Sequence, residues 1–370
     1  MTNAMAAVTE SCGSPWELHP IDVDDPRSNE VLVRIVATGL CHTDVSVRDQ
    51  HLPVRLPAVL GHEGAGIVER VGSDVHGLRV GDHVVLCVAS CGRCGNCGRG
   101  MPTYCVQSFP LNFSGQRLDG SNTLHRDGRP IGGSFFGQSS FATYALASES
   151  NAVRVPANLP LELLGPLGCG IQTGAGTVIN ALSARPGSSI AVFGAGAVGL
   201  SSVMAARLVG CSTIVAIDVH ENRLALALEL GATHVINPGA VPNVVDAIRR
   251  IGGGVEFAVD STAVPKVARQ AVECLAPLGR CALVGVYPPG AELTFSAQSL
   301  FSGQRVGGSI EGDSVPQVFI PKLIDLWRQG LFPFDRLIKF YDFHQINQAV
   351  ADSAAGLVIK PVIRIASVET

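Results

Sequence analysis

Charge is scarce in this chain. Only 16 % of its 370 residues are Asp, Glu, Lys or Arg, and the formal net charge is −4. Without a basic surplus there is no electrostatic footprint for nucleic acid or for an anionic membrane surface. No uncharged apolar run reaches the roughly 18 residues that a membrane-spanning helix needs. Met1 to Trp16 lacks a basic start followed by an apolar stretch, so no secretory signal is expected. Internal repeats, heptads and low-complexity tails are also missing. These absences leave a globular protein, and a reducing, cytoplasmic setting is the expectation. Apolar residues are plentiful at 46 %, as is glycine with 42 residues. The length suits two domains, at roughly 150 residues per domain.

The eleven cysteines are an odd number and are unevenly spread. Cys91, Cys94, Cys97 and Cys105 form a C-x2-C-x2-C-x7-C loop. Four thiolates can close a tetrahedral zinc site, and the interleaved glycines let the backbone bring the sulfurs together. Two disulfides would use the same residues, but the spacing and the expected compartment favour zinc. Such a site has no free coordination position and points to structure, not to chemistry.

Along the chain, Glu30 to Ala37, Gly66 to Val71 and Val80 to Val85 read as short strands with Gly and Pro punctuation, a β-rich unit from which the cysteine loop projects. Residues 106–150 read as loop, with an excess of phenylalanine. Phe109, Phe113, Phe135 and Phe136 are candidates either for core or for the lining of an apolar pocket, and Phe141 for core. Beyond Leu167 the character changes. A helix is expected from Ile171 to Ala184. Strands at Ser189–Phe193, Thr213–Asp218, His234–Ile236, Val255–Asp260 and Arg280–Val286 then alternate with helices. That alternation marks a doubly wound parallel sheet. The last part, with a helix from Phe319 to Gln329, another near Ile346 to Ser353 and a strand at Lys360–Ile365, is too small to fold alone and is expected to return to the first domain. The expected division is 1–170 with 311–370, and 171–310.

Gly194, Gly196 and Gly199 form a G-x-G-x-x-G turn between the first of those parallel strands and a helix. The glycines allow a tight turn and close approach of a pyrophosphate to the helix N-terminus, where free amides and the dipole favour anions. Asp218 ends the next strand, where a carboxylate accepts hydrogen bonds from a ribose 2′-hydroxyl and repels a 2′-phosphate. The expected cofactor is NAD in preference to NADP.

Cys41, His62 and Cys169 lie too far apart for any spacing rule to join them. The segments around them supply the connection. Gly39-x-Cys41-x-Thr43-Asp44, Gly61-His62-Glu63 with Gly66 and Gly72, the four-cysteine loop, Gly168-Cys169-Gly170, and the Gly194 turn with Asp218 run in the order found in zinc-dependent medium-chain alcohol dehydrogenases. The chain resembles that family over essentially its whole length, and most resembles its benzyl (aryl) alcohol dehydrogenases. The resemblance implies a GroES-like catalytic domain and a Rossmann NAD-binding domain. It implies two zinc ions, one structural and one catalytic, the latter held by Cys41, His62 and Cys169 with Glu63 as a transient ligand. Asp44 would orient the His62 imidazole, and Thr43 would hydrogen-bond the alcohol oxygen. His42 stands where many relatives have an arginine on the cofactor pyrophosphate. Ser46 stands where the best-known members have the histidine that ends the proton relay, so the relay would end in His42 or in the nicotinamide ribose and water. By matching position, Arg223 would flank the adenosine ribose, Val198 and Thr173 would sit against the nicotinamide, Val284 and Val286 would meet its carboxamide, and Lys360 would lie near the pyrophosphate.

With Phe109, Phe113, Phe135 and Phe136 as pocket wall, the implied reaction is reversible oxidation of a primary aromatic or allylic alcohol. An aliphatic or polyol alcohol dehydrogenase is the alternative. A glutathione-dependent formaldehyde dehydrogenase is disfavoured, because Phe109 stands where such relatives carry an arginine. A non-enzymatic NAD-binding relative is disfavoured because all three zinc ligands are kept. Ser302 to Ile310 matches the segment that pairs edge strands between subunits in relatives, so a homodimer or homotetramer is implied, with a small-molecule substrate and neither nucleic-acid nor membrane partners.

Overall fold

The computed structural model describes residues 1–365. The last five residues of the expected 311–370 segment lie outside them. The chain divides into two compact units. One comprises residues 1–169, 315–322 and the C-terminal part from Leu337; the other comprises residues 170–314 and 323–336.

The first unit is built on two sheets. A five-stranded antiparallel sheet contains Thr2–Thr9 and Trp16–Val23, with Ala58–Val59, Leu124–Arg126 and Arg129–Ile131. A second, seven-stranded sheet is centred on Glu30–Gly39, which pairs antiparallel with Glu63–Val71, Tyr144–Ser148 and the C-terminal Lys360–Arg364. Val31, Leu32, Val33, Ile35 and Val36 are each no more than 1 % exposed, so this strand is buried on both faces. That explains why it reads as a continuous apolar run and not as an alternation. Residues 106–150 depart from the expected loop. They carry a helix at Ser108–Phe113, a small hairpin and the strand Tyr144–Ser148. The two N-terminal strands were also not anticipated.

The second unit holds a six-stranded, wholly parallel sheet. Its spatial order is His234–Ile236, Thr213–Ile217, Ser189–Phe193, Val255–Asp260, Leu275–Leu283, Arg305–Gly308. In chain order this is 3-2-1-4-5-6, the Rossmann arrangement, with its switch point beside the first strand. Ile190 to Phe193 are at most 1 % exposed, as both faces of a parallel sheet must be. The expected strands at Ser189–Phe193, His234–Ile236 and Val255–Asp260 keep their boundaries, Thr213–Asp218 ends one residue earlier at Ile217, and Arg280–Val286 is shifted to Leu275–Leu283, whereas the helix expected from Ile171 to Ala184 is regular only over Gly170–Gly176 and then widens over Thr177–Ala181. Among the described residues no helix is long and apolar enough to cross a membrane.

Candidate functional site

Cys41 caps a short helix, His42–Arg48. Its backbone N–H donates to the Asp44 carboxylate at 2.9 Å, the reciprocal half of a capping box. Asp44 is fully buried and also accepts from the Gly61 N–H at 3.1 Å and pairs with His62 Nδ1 at 2.9 Å. One carboxylate therefore ties together the Cys41 loop, the Gly61 turn and the imidazole. Gly61 has φ +89°, and a Cβ there would lie 2.5 Å from the Phe141 backbone nitrogen, so no larger residue fits the turn that delivers His62.

Donor atoms of Cys41, His62, Glu63 and Cys169 all lie within 4.8 Å of one another. His62 Nε2 is buried without a hydrogen-bond partner. Its other nitrogen is fixed by Asp44, so Nε2 is the ring atom left to ligate. A hydrogen bond with Cys169 holds the Cys41 thiol well below its ordinary range against the opposing effect of burial. Burial alone would suppress a charged His62, but the Asp44 carboxylate outweighs it and raises the imidazole well above its usual value. Two thiols, one of them biased towards thiolate, and an orphaned imidazole nitrogen fit a zinc ion. Thr43 Oγ1 lies 3.7 Å from Cys41 Sγ, so the hydroxyl borders this donor set.

Lys360, expected near the cofactor pyrophosphate, is buried beside Glu63. It is 3 % exposed. Its ammonium donates to Glu63 Oε1 at 2.8 Å, Glu63 Oε2 at 3.0 Å and Leu40 O at 3.2 Å. These bonds make Lys360 and Glu63 a buried ion pair beside the donor set. Burial pulls the Lys360 ammonium down, but Glu63 and the nearby thiols hold it above its ordinary value.

Phenylalanines pack on one side of the donor set, with Phe135 and Phe136 in the hydrophobic core of the first unit and Phe113 packed against it. The Phe136 ring stacks on the His62 imidazole at 4.4 Å, and Phe135 meets it edge-on at 5.4 Å. Phe113 packs on Phe135 at 5.9 Å and on Phe136 at 5.1 Å. Phe109 stacks on Phe113 but is 65 % exposed and forms the rim. Phe141 is fully buried against Trp16, in the core. Gln138 carried no signal in the sequence, sitting in a polar run. Its buried amide binds the backbone on either side of Glu63.

Cys91, Cys94, Cys97 and Cys105 also gather their sulfurs within 4.8 Å, and all four are free thiols. Cys94 and Cys97 sulfurs are 3.5 Å apart, near the separation of about 3.8 Å that tetrahedral zinc–sulfur bonds imply. Backbone N–H groups of Cys91 and Gln107 donate to Cys105 Sγ, each at 3.3 Å, as they would to a thiolate. This set fits a closed zinc site.

In the second unit the Gly194 turn follows Ser189–Phe193 and leads into the helix Ala197–Leu208, which has no side-chain cap at its N-terminus. A Cβ on Gly199 would lie 1.7 Å from the Gly194 carbonyl oxygen, whereas one on Gly196 would meet nothing within 4 Å. Uncapped amides facing open space beside Gly196 fit a pyrophosphate. Asp218 is 8 % exposed and accepts from the Ala195 N–H at 2.7 Å and the His220 N–H at 2.9 Å, with Arg223 at 3.9 Å. Gly174, beside Thr173, packs under the Val198 carbonyl, and the Thr173 hydroxyl donates to Glu311 at 3.2 Å. Val284 and Val286 follow the strand Leu275–Leu283, with Val286 half exposed; His42, in the first unit, is exposed.

Comparison with known proteins places these features in context. Residues 27–157 match the family described as alcohol dehydrogenase GroES-like domain, and residues 197–328 match zinc-binding dehydrogenase. The chain is 50 % identical over 364 residues to geraniol dehydrogenase of Castellaniella defragrans, covering 98 % of this chain and 97 % of that protein. An alcohol dehydrogenase zinc-binding domain protein from Burkholderia ambifaria superposes with a TM-score of 0.97 at 56 % identity, over 99 % of this chain and 100 % of its own. Benzyl alcohol dehydrogenase from Acinetobacter calcoaceticus superposes with a TM-score of 0.96 at 50 % identity, with the same coverage.

Proposed function

The chain belongs to the zinc-dependent medium-chain alcohol dehydrogenase family, and on that premise we propose that it oxidises a primary aromatic or allylic alcohol to the aldehyde, reversibly, with NAD as hydride acceptor. The observation that carries the substrate class is the phenylalanine wall stacked on His62 beside the donor set of Cys41, His62 and Cys169. A planar, apolar substituent next to the carbinol carbon suits such a wall. The names of the geraniol and benzyl alcohol relatives, one allylic and one aromatic, support the same class.

Two cysteines and a histidine are the ligand set for which alcohol dehydrogenase zinc sites are known. Bound there, zinc supplies the Lewis acidity that lowers an alcohol's pKa, and the nicotinamide supplies the hydride acceptor. The residues of the chain do the rest. Asp44 holds the imidazole in the tautomer with Nε2 free. The Thr43 hydroxyl can donate and accept at once, so it takes the alcohol proton and passes it on, to the neighbouring exposed His42 or to cofactor ribose and water. Glu63, anchored by Lys360, would offer the metal a further donor beside Cys41, His62 and Cys169. Phe135 and Phe136 exclude water from one side of the imidazole. The four-cysteine loop would hold a second, structural zinc. Asp218 selects NAD over NADP. The edge strand Arg305–Gly308, with Leu278, Leu300 and Phe301 exposed near it, supports pairing with a second copy.

The test is a substrate panel. Geraniol and benzyl alcohol should be oxidised with NAD at a kcat/KM at least tenfold above that for ethanol or a polyol. Equal efficiency with ethanol would contradict the substrate class and leave the family assignment standing.

A further inference from the structure

Gln138 lies in the most contorted backbone near the donor set. Between residues 134 and 139, Ser134, Phe136 and Ser139 have φ of +55°, +51° and +57°, and Gly137 has +64°. A phenylalanine in the left-handed region is a genuine outlier, and three non-glycine cases within six residues persist only where surrounding bonds over-determine them. Those bonds are present. Ser139 Oγ donates to Val59 O at 2.7 Å and accepts from the Phe135 N–H at 2.9 Å. Asn151 Nδ2 donates to Phe136 O at 3.3 Å and Gly137 O at 3.1 Å.

The knot brings two things to His62 at once. Phe136 is laid on the face of the imidazole, 4.4 Å away. Gln138 is laid on its backbone. The Gln138 Nε2 donates to His62 O at 2.9 Å and to Cys87 O at 3.4 Å, and its Oε1 accepts from the Gly64 N–H at 3.1 Å. The ladder between Glu63–Val71 and His83–Leu86 has its terminal paired residues at Ala65 and Val85. Beyond that rung the Gln138 amide bridges the two strands, at the end that carries His62 and Glu63. Gln138 is 2 % exposed, so these bonds are shielded from bulk solvent.

We propose that Gln138 is a positioning residue for His62 and Glu63: its amide forms the last rung of the strand pair and fixes the backbone from which both side chains reach the donor set. The knot sets imidazole and pocket wall in register, so zinc retention and turnover of a planar alcohol depend on Gln138 together. This rests on the reading of Cys41, His62 and Cys169 as zinc ligands.

The experiment follows zinc release from the purified, zinc-loaded protein to a chromogenic chelator, alongside thermal midpoint, kcat and KM for benzyl alcohol, and KM for NAD. Gln138→Met keeps the volume and removes the hydrogen bonds. It should release the zinc whose loss tracks activity at least tenfold faster, leave the second zinc at the wild-type rate, lower kcat about tenfold and leave KM for NAD unchanged. Should Gln138→Met not fold, Gln138→Glu keeps the acceptor for Gly64 and removes only the donors; it should show the same selective release. Asn347→Leu is the structural control. Asn347 clamps the Trp16 backbone in the same two-way manner, at 3.0 Å and 2.8 Å, and touches nothing at His62. It should lower the midpoint with wild-type release of both ions. Wild-type release from a folded Gln138 variant, or the same selective release from Asn347→Leu, would overturn the proposal. A wild-type protein holding a single zinc would overturn the ligand reading beneath it.

Discussion

Replacing Asp44 with asparagine separates orientation of the imidazole from mere filling of space. The carboxylate accepts three hydrogen bonds, from Cys41 N–H, Gly61 N–H and the His62 ring. An amide of the same shape has one oxygen and one NH2. If its oxygen keeps Gly61 and His62, both on Oδ1, its NH2 opposes the Cys41 N–H. A buried donor left unmatched costs about 1–3 kcal/mol. The bonds that survive lose the negative charge that made them stronger. Partners of a metal-ligating histidine typically account for about 10–100-fold in metal affinity or activity, or about 1.4–2.7 kcal/mol. We therefore expect Asp44→Asn to bind its activity-linked zinc 10–100-fold more weakly, to lose a similar factor in kcat/KM, and to unfold more readily by about 1–3 kcal/mol once zinc is removed. Chelator competition, steady-state kinetics and urea melts of the zinc-free protein read the three quantities. Zinc affinity and kcat/KM within twofold of wild type, with only the melt shifted, would refute the reasoning and reduce Asp44 to a helix cap.

Two further outcomes follow from other parts of the chain. Gly199→Ala should weaken NADH binding at least 100-fold, read by cofactor fluorescence, because the added Cβ falls 1.7 Å from the Gly194 oxygen and the turn must open; unchanged binding would contradict the phosphate-turn reading. The buried Cys274 thiol is pushed up from 9.0 to about 12 by desolvation, so its share of stability is complete below pH 9 and is lost as pH rises towards about 12. Between pH 9 and 10 the urea midpoint of the wild type should fall more steeply than that of Cys274→Ala, by up to about 1.4 kcal/mol in unfolding free energy; parallel curves would contradict it.

The parallel unit was nearly transparent to sequence reading because its central strands are buried on both faces and alternate with helices of a different period. Ser189–Phe193 and Thr213–Ile217 are such cases. The antiparallel unit was harder. Trp16–Val23 runs partly exposed, with a proline inside it, and no pattern of period two stands out. The small strands within 106–150 are three to five residues long, too short to rise above their turn residues. The four-cysteine loop declared itself through local spacing. Cys41, His62 and Cys169 did not, because three loops distant in sequence converge only through folding, and family motifs alone joined them. Lys360 shows what matching by position leaves out: the position predicted a cation near the pyrophosphate, and only the fold shows its ion pair with Glu63. Gln138 had neither spacing nor motif, since its partners are backbone groups that any sequence supplies.

The most direct measurement of the central claim is stepwise removal and return of zinc, with metal content and benzyl-alcohol-dependent NAD reduction followed in the same sample. The account predicts two zinc ions per chain, loss of turnover in proportion to one of them, and recovery of turnover when one equivalent of zinc is returned. Undiminished turnover in protein stripped of both ions would contradict it.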